Sequence, residues 1–502
     1  MKKMKQWGLA GLAVCMAMAI SVAWADVKLP AVFSDNMVLQ RDLAVPVWGW
    51  ADAGEKVVVA FNGQTKDAVA DDNGKWCVKL AAMPVGGPYE MTVSGKNKIV
   101  FKNVMLGDVW VCSGQSNMQW SVSVSNNPEE EIKNADYPNI RLITVPTKST
   151  VVPQDNFDGR WMICSPETVP NFSAVAYFFG RTLHTELDKK VPIGLIHTSW
   201  GGSSCETWIP AEVVEQYQDY KAIMDRRANH LKDNPTGGDN QQAGYLFNAM
   251  INPLLPYGIK GAIWYQGETN AGRAYQYRTL FPLMIQTWRE AWGQGNFPFY
   301  FVQLANFDPS GDKVLGQSAW AELREAQSMT ERSLTKTGQA VIIDIGDSND
   351  IHPRNKQDVG KRLALKALAG DYMDRTMSRK RMSEERKLSD AFLAAYSPMF
   401  WSMTIQDGKA AVGFATTDDG LKTKDGGPVT GFIIAGADRK FVVADAVIEG
   451  NTVIVSSPEV PNPVAVRYAW ANDPKCNLCG NNDLPACPFR TDVWPGVTID
   501  NK

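Results

Sequence analysis

The middle of the chain, from about Val104 to about Met373, alternates short apolar runs with amphipathic stretches, and this alternation limits the possible folds more than any other feature. The apolar runs are typical of buried strands; they read DVWVC, IRLITV, PIGLIHT, GAIWYQ, FYFVQLA and QAVIIDI. Stretches with helical spacing lie between some of them, such as SAVAYFFGRTLHTEL and AWAELREAQSM. Buried strands separated by helices predict a mainly parallel sheet with helices on both faces, which is an α/β fold.

Runs typical of β-strands flank this region on both sides. Before it, VPVWGW, EKVVVAF, GKWCVKL, YEMTV and KIVF recur with turn residues between them, at the spacing of a β-sandwich. After the charged stretch SRKRMSEERK, strands return in WSMTI, AAVGFA, GFIIAG, VIVSS and VAVRYAW. We therefore predict a β-sandwich domain over 26–104, an α/β domain over 105–388 and a C-terminal β-rich region over 389–502. Whether the C-terminal region joins the sandwich or stands apart stays open.

Residues 1–25 have the pattern of an export signal. Lysines precede an apolar run from about Trp7 to Val22, and Ala23-Trp24-Ala25 supplies small residues at the positions that a signal peptidase reads. We expect cleavage before Asp26 and a periplasmic or extracellular location. No later run approaches the roughly 18 apolar residues of a spanning helix, so the mature chain is not expected to insert into a membrane.

The charge balance excludes one class of partner. Cleavage would remove three lysines and no acidic residue, so the formal net charge would change from −3 to −6. Binding to nucleic acid needs clustered Lys and Arg, and this chain has no long basic run. We expect no nucleic-acid partner.

The cysteines do not form the pattern of a disulfide-rich fold. An odd number remains after residue 25, thinly spread through a large chain. Cys476 and Cys479 form a CxxC with Cys487 close behind, but zinc normally needs four ligands and no His lies near them. We expect a local disulfide there rather than a metal site, and we expect no cofactor.

Ligands of an open parallel sheet bind beyond the carboxyl ends of its strands. The segment VWVCSGQSNMQW places Gly114 and Ser116 directly after an apolar strand. A sharp strand-to-helix turn there would lift the Ser116 hydroxyl clear of the sheet as a nucleophile and leave its N–H free to bind an oxyanion. The alternative is a tight turn followed by a helix cap.

Two further strand ends carry candidate donors. Gly201 and Gly202, in GLIHTSWGGSS, expose backbone N–H groups that could bind a developing negative oxygen, although such pairs are also common in turns. Gln266 and Asn270, in AIWYQGETNAG, offer amide donors, and their alternative role is to cap the next helix.

His352 is the candidate general base. A serine nucleophile needs a His partner, and the chain has only four histidines. His184 falls on an amphipathic helix, His197 inside an apolar strand, and His230 among basic residues with no strand leading to it. His352 alone follows a strand and has acidic residues beside it, in VIIDIGDSNDIHPRNK.

Taken together, several motifs resemble the sialate O-acetylesterase family of the SGNH-hydrolase superfamily: GQSNMQW, FSAVAYFFGR, SWGGSSCETW, WYQGETNA, DIHPRNK and the terminal LPACPFRTDVW. The resemblance runs along most of the mature chain. It implies a flavodoxin-like three-layer α/β/α esterase domain joined to a β-rich domain. It also implies hydrolysis of acetyl esters of sugars without a metal.

The resemblance assigns roles to individual residues. Ser116 matches the nucleophile and His352 the base. The Ser116 N–H, one glycine of the Gly201–Gly202 pair and the amide of either Gln266 or Asn270 match the oxyanion donors.

One position departs from the family pattern, which has an Asp three residues before the His. Here that position is Asn349. An amide can orient an imidazole but cannot stabilise imidazolium by charge. Either a neighbour supplies the acid or the enzyme works as a dyad. Asp350 and Asp347 are the candidates, and we predict Asp350.

The expected function is therefore hydrolysis of O-acetyl esters on sialic acid through an acetyl-enzyme. Acetyl-xylan or another acetylated polysaccharide is the alternative substrate. A sialate site needs an Arg for the sugar carboxylate, and Arg273, Arg278 and Arg354 lie near the motifs. A carbohydrate-binding protein without turnover and a serine peptidase are the rival functions.

Overall fold

The computed structural model describes residues 26–308, 311, 314–372, 395–415 and 420–502. The predicted export signal, the charged stretch SRKRMSEERK and the predicted boundary at 388/389 lie outside the described residues. No helix among the described residues is both long enough and apolar enough to cross a bilayer.

The N-terminal part consists of strands that are buried on one face only. The side chains of β2 and β5 alternate between buried and more exposed positions, as expected for the wall of a sandwich. In sequence order the strands are β1 (Val38–Gln40), β2 (Val45–Trp50), β3 (Lys56–Phe61), β4 (Gln64–Val69), β5 (Lys75–Leu80), β6 (Gly86–Ser94) and β7 (Lys98–Gly114). Strand β2 pairs with β5, β3 pairs with β4 and β6, and β6 and β1 pair with β7.

Strand β7 continues through the predicted boundary at 104/105. Its first half pairs with β6, where Lys98 lies opposite Ser94. Its second half is the centre of the next sheet, where Trp110 lies beside Leu195 and Gly261. The two domains therefore share a strand, and one hydrophobic core continues from the sandwich into the α/β part.

The elements of the α/β part follow in alternation. The strands are β8 (Tyr137–Thr144), β9 (Met162–Cys164), β10 (Ile193–Ser199), β11 (Gly261–Tyr265), β12 (Phe299–Val302) and β13 (Thr337–Ala340). The α-helices are α1 (Ser116–Gln119), α2 (Pro128–Lys133), α3 (Ala174–Glu186), α4 (Ala211–Val214), α5 (Lys221–Asp233), α6 (Ala274–Trp292), α7 (Ala319–Ser333) and α8 (Lys356–Ala367). Single turns of 3-10 or π type cover Val122–Val124, Cys205–Trp208, Gln218–Tyr220, Phe247–Ile251, Asn252–Leu254, Glu268–Arg273 and Leu368–Tyr372.

The central sheet has the order β9-β8-β10-β7-β11-β12-β13, and every neighbouring pair is parallel except β8–β9. Without the edge strands β8 and β9, the order is the 2-1-3-4-5 order of flavodoxin-like sheets. Trp110 and Leu195 pack with α3 and α8 on one face, whereas Val111 and Trp264 pack with α6 and α7 on the other. The predicted three-layer α/β/α fold is confirmed.

The C-terminal region forms its own β core. The strands are β14 (Met399–Gln406), β15 (Lys409–Ala415), β16 (Leu421–Thr423), β17 (Phe432–Ala435), β18 (Phe441–Val443), β19 (Asp445–Glu449), β20 (Thr452–Ser456), β21 (Ala465–Tyr468), β22 (Leu478–Gly480) and β23 (Phe489–Arg490). They make the sheets β14-β15-β20-β19 and β18-β17-β21-β23 and the pair β16-β22. The described core of this region includes Val341 and Ile343 but no residue of 26–104, so it packs on the α/β part and not on the sandwich.

Candidate active site

Three of the four polar motifs follow strands that are neighbours in the sheet. Gly114 at the end of β7 lies beside Ser199 of β10 and beside Tyr265 of β11. The loops after these strands therefore meet at one edge of the sheet. His352 reaches the same edge from the loop between β13 and α8.

The turn after β7 requires the glycine at position 114. Its φ is +140°, and a Cβ there would lie 2.1 Å from the carbonyl oxygen of Tyr265. The next residue, Gln115, donates its N–H to that same oxygen at 2.9 Å. Ser116 then begins α1, where an N–H has no partner within the helix.

Ser116 and His352 are in direct contact. The distance from Ser116 Oγ to His352 Nε2 is 2.8 Å, although 236 positions separate the two residues. The imidazole stacks on the Trp120 ring with centroids 4.7 Å apart and an interplanar angle of 11°. The His352 side chain is 27% exposed, so the pair is accessible from solvent.

No carboxylate hydrogen-bonds to the second ring nitrogen of His352 within the described residues. The nearest is Asp350, with Oδ1 3.8 Å from Nδ1, and the same oxygen accepts the backbone N–H of His352 at 2.8 Å. Asn349 and Asp347 are exposed, and Asp347 Oδ1 accepts the N–H groups of Asn349 and Asp350 at 2.9 and 3.3 Å. These bonds shape the loop and leave the Asp350 charge near the ring.

The surroundings of His352 favour the neutral imidazole. Burial lowers its pKa below the ordinary value, and the charge of Lys356 lowers it further, while Asp350 acts in the opposite direction. An imidazole that is neutral near pH 7 can accept a proton, as a general base must.

Gly201 lies directly against Ser116. A Cβ at this position would be 3.2 Å from Ser116 Cβ, and the Gly201 N–H donates to Gln119 Oε1 at 2.8 Å. Gly202 has a φ of +74°, and its N–H makes no hydrogen bond to any residue that the structure describes. The structure thus places Gly201 beside Ser116, with its N–H engaged by a side chain, whereas a Cβ at Gly202 would meet Asn240 at 3.6 Å and no atom of Ser116 within 4 Å.

The amides of Gln266 and Asn270 are buried and bonded to the protein. Gln266 Nε2 donates to Ser203 O at 3.2 Å and to Asn270 Oδ1 at 2.7 Å. Asn270 Oδ1 also accepts the Cys205 N–H at 2.8 Å, and Asn270 Nδ2 donates to Glu206 Oε2 at 3.1 Å. The two side chains support the turn that follows the glycine pair, so both hydrogens of the Gln266 amide are already used.

The sequence reasoning gave no role to Trp120 or Gln119. Trp120 comes four residues after Ser116, and this spacing on a helix brings two side chains to the same face. The four-residue spacing from Ser116 is therefore a sequence signal that could have identified Trp120 as a site residue. The Gln119 contact with Gly201 joins the end of α1 to the loop after β10 and has no signature in the sequence.

The other histidines have structural surroundings. His184 on α3 bonds to the Val191 carbonyl at 3.0 Å, and His230 on α5 lies 3.7 Å from Asp239. His197 on β10 is buried 2.6 Å from Ser199 Oγ, and burial lowers its pKa to about 4.

The expected local disulfide is wrong. Cys476, Cys479 and Cys487 are free thiols, as are the other cysteines of the described residues. Their surroundings explain this: Cys487 Sγ is 3.3 Å from Ser328 Oγ on α7, whereas Cys479 lies within β22. Among the described residues there is also no group of three or more His, Cys, Asp or Glu arranged to hold a metal ion.

Comparisons with known proteins show which family this chain is similar to. The family model described as carbohydrate esterase, sialic acid-specific acetylesterase, matches residues 106–369. The sialate O-acetylesterases of Homo sapiens and Pongo abelii are each 32% identical to this chain over 398 residues, which cover 71% of this chain and 74% of each relative. The crystal structure of a carbohydrate acetylesterase from Xanthomonas citri has a TM-score of 0.82 and 40% identity, and the match covers 93% of this chain and 100% of that one.

These matches confirm the family resemblance seen in the motifs. They show a carboxylic ester hydrolase, and they do not favour a binding protein without turnover or a peptidase. The chain belongs to the carbohydrate esterase family of sialic acid-specific acetylesterases.

Proposed function

We propose that this protein removes O-acetyl groups from sialic acid through an acetyl-enzyme formed on Ser116, with His352 as general base. The observation that carries the proposal is the 2.8 Å contact between Ser116 Oγ and His352 Nε2 at the carboxyl edge of the central sheet. A nucleophile and base within hydrogen-bond reach are what acyl transfer by serine requires.

The reaction has two symmetrical halves. His352 Nε2 takes the Ser116 hydroxyl proton while Oγ bonds to the acetyl carbon. The sugar oxygen then leaves and takes that proton from His352. Water attacks the acetyl-enzyme by the same route, which releases acetate and restores the free serine.

The oxyanion donors are the backbone N–H groups of Ser116 and Gly201. In the free protein the Gly201 N–H is bonded to the side-chain oxygen of Gln119, which is exposed. The carbonyl oxygen of the ester takes the place of this oxygen, and Gln119 turns toward solvent. Each such donor contributes ~3 kcal/mol to catalysis. Gln266 and Asn270 act by fixing the turn after the glycines.

Asp350 supplies charge rather than a hydrogen bond to the base. At 3.8 Å from Nδ1 and partly exposed, its carboxylate stabilises imidazolium over a longer distance than a triad acid does. The enzyme therefore works as a Ser116–His352 dyad with a nearby negative charge.

We further propose that residues 1–25 direct export, which N-terminal sequencing of the secreted protein would test by a start at Asp26.

Arg354 is the candidate contact for the sialate carboxylate. Arg273 is paired with Glu206 at 2.6 Å, and Arg278 is paired with Glu325 at 2.6 Å. Arg354 is exposed two residues after His352, and its guanidinium has no partner among the residues that the structure describes. An exposed guanidinium two residues along the chain from the base suits bidentate binding of a carboxylate.

The substrate is tested by comparing acetate release from 9-O-acetylsialate and from acetyl-xylan. The proposal predicts faster release from the sialate, measured as kcat/KM per acetyl group. Equal or faster release from the neutral polysaccharide would make acetyl-xylan or a related glycan the substrate instead.

Replacing Arg354 with Ala should raise KM for 9-O-acetylsialate about tenfold, which corresponds to loss of ~1.4 kcal/mol of a charged hydrogen bond. Turnover of p-nitrophenyl acetate should not change, because this ester has no carboxylate. Lys361→Ala is the matched control, since Lys361 is an exposed cation on α8. An equal loss with both esters, or a sialate KM that stays constant, would remove Arg354 from the carboxylate site.

A further inference from the structure

A buried polar cluster lies beside the catalytic pair. The Asn117 amide donates to Glu268 Oε1 at 2.7 Å and to the Ile351 carbonyl at 2.9 Å. Its oxygen accepts a hydrogen bond from the ammonium of Lys356. One carboxamide therefore joins the loop after β11, the loop that carries the base and the start of α8.

The cluster is costly to bury. Lys356 is 0% exposed, and its ammonium bonds to the Asn117 oxygen and lies 5.3 Å from the centroid of the Tyr265 ring. Glu268 and Asp350 are the negative charges that act on it. The second carboxylate oxygen of Glu268 is buried and makes no hydrogen bond to the described residues. Burying charged groups, even of opposite sign, opposes folding when a carboxylate oxygen is left without a hydrogen bond. A role in stability alone does not account for this arrangement.

The cluster links the residue after the nucleophile to the residue before the base. Asn117 directly follows Ser116, and Ile351 directly precedes His352. The hydrogen bond from the Asn117 side chain to the Ile351 carbonyl thus links the neighbour of Ser116 to the neighbour of His352 across 234 positions of sequence. This tie matters here because no carboxylate hydrogen-bonds to His352 Nδ1 among the described residues, so the ring has no triad acid to hold it.

We propose that Asn117, clamped between Lys356 and Glu268, is a positioning residue that holds the His352 loop against Ser116 in place of the missing triad hydrogen bond. The inference rests on the proposed function, because it assumes that Ser116 and His352 perform the reaction. Lys356 acts in a second way as well: its positive charge keeps the imidazole in the neutral form that accepts a proton.

The effect of nearby charges on the His352 pKa can be measured, because each charge shifts that pKa in a known direction. The Lys356 ammonium bonds to Asn117, whose amide bonds to the Ile351 carbonyl next to His352, and this positive charge lowers the imidazole pKa. The Asp350 carboxylate, 3.8 Å from Nδ1, raises that pKa. Glu268 and Asp350 face Lys356 in turn, and burial lowers the pKa of Lys356 to about 7. Since only neutral His352 is active, activity is lost as the pH falls through the His352 pKa. Lys356→Met should raise that pKa and move the acid limb of kcat/KM to higher pH. Asp350→Asn should move the limb to lower pH.

The experiment measures kcat and KM for p-nitrophenyl acetate across pH, with thermal denaturation of each variant. Asn117→Ala should lower kcat about 100-fold, the loss expected for a misplaced catalytic group, with little change in KM. Lys366→Met is the matched control for Lys356→Met, because Lys366 is also buried on α8 but pairs with Glu331. It should lower stability and leave the acid limb in place.

An unchanged acid limb in Lys356→Met, or a limb that moves equally in Lys366→Met, would overturn the charge effect. A kcat in Asn117→Ala within about twofold of the parent would overturn the positioning role. If Asn117→Ala does not fold, Glu268→Met removes the oxygen that accepts one Asn117 hydrogen bond, at a similar side-chain volume, and should still lower kcat. All these outcomes leave Ser116 as nucleophile, so they are distinct from failure of the proposed function.

Discussion

Replacing Ser116 with Ala should lower kcat/KM for p-nitrophenyl acetate by at least ~10⁴-fold, as loss of the nucleophile does in serine hydrolases. The variant should fold normally. The hydroxyl makes its one described hydrogen bond to His352, and the alanine Cβ occupies the place of the serine Cβ. Initial rates and thermal denaturation on the same preparation measure both properties.

Ser113→Ala is the control for that loss. Ser113 is fully buried near the end of β7, and its hydroxyl makes no hydrogen bond to any described residue. Removing it should leave turnover unchanged and the free energy of unfolding the same or slightly higher. Normal turnover by Ser116→Ala would place the nucleophile elsewhere in the chain.

Replacing Gly114 with Ala should lower the free energy of unfolding by ~3–5 kcal/mol, the sum of a strained backbone and an overpacked contact. Its φ of +140° is disfavoured for any residue with a side chain, and the new Cβ would lie 2.1 Å from the Tyr265 carbonyl oxygen. To relieve this contact, β7 must separate from β11 at the point where Ser116 is placed. Urea denaturation measures the loss of stability, and the esterase rate of the folded fraction should fall as well.

Gly272→Ala serves as the matched substitution, since a Cβ there has no atom within 4 Å. It should change stability by less than about 1 kcal/mol. A Gly114→Ala protein as stable and as active as the Gly272→Ala protein would show that the turn after β7 is not held as described.

The fold was largely predictable because the sequence of the α/β part separates buried strands from helices. The shared strand was not, since polar Lys102 and Asn103 divide its two apolar halves, and we predicted separate strands there. The last predicted strand, QAVIIDI, is shorter in the structure than its apolar run. Val341 and Ile343 lie beyond the end of β13 and are buried by the C-terminal core. The spacing of apolar residues does not distinguish residues buried in this way from residues of a buried strand.

Site residues could be predicted where the residue type is rare in the chain or where the residue follows the end of a predicted strand. Four histidines and one suitable loop were enough to select His352. Lys356 had no such signal, because a lysine at the start of a helix is usually solvated and its partner Asn117 is 239 positions away. The sequence also does not show which groups bond to the Gln266 amide, and only the structure shows that both of its hydrogens are bonded to the protein.

We infer that the Ser116 hydroxyl is the nucleophile and that His352 activates it. A fluorophosphonate, which bonds to an activated serine oxygen and releases fluoride, tests this when the labelled protein is digested and mapped by mass spectrometry. The adduct should lie on Ser116, should be absent from Ser116→Ala, and should form far more slowly in His352→Gln. An adduct on another residue would show that Ser116 is not the nucleophile, and labelling at the same rate without His352 would show that His352 does not activate it.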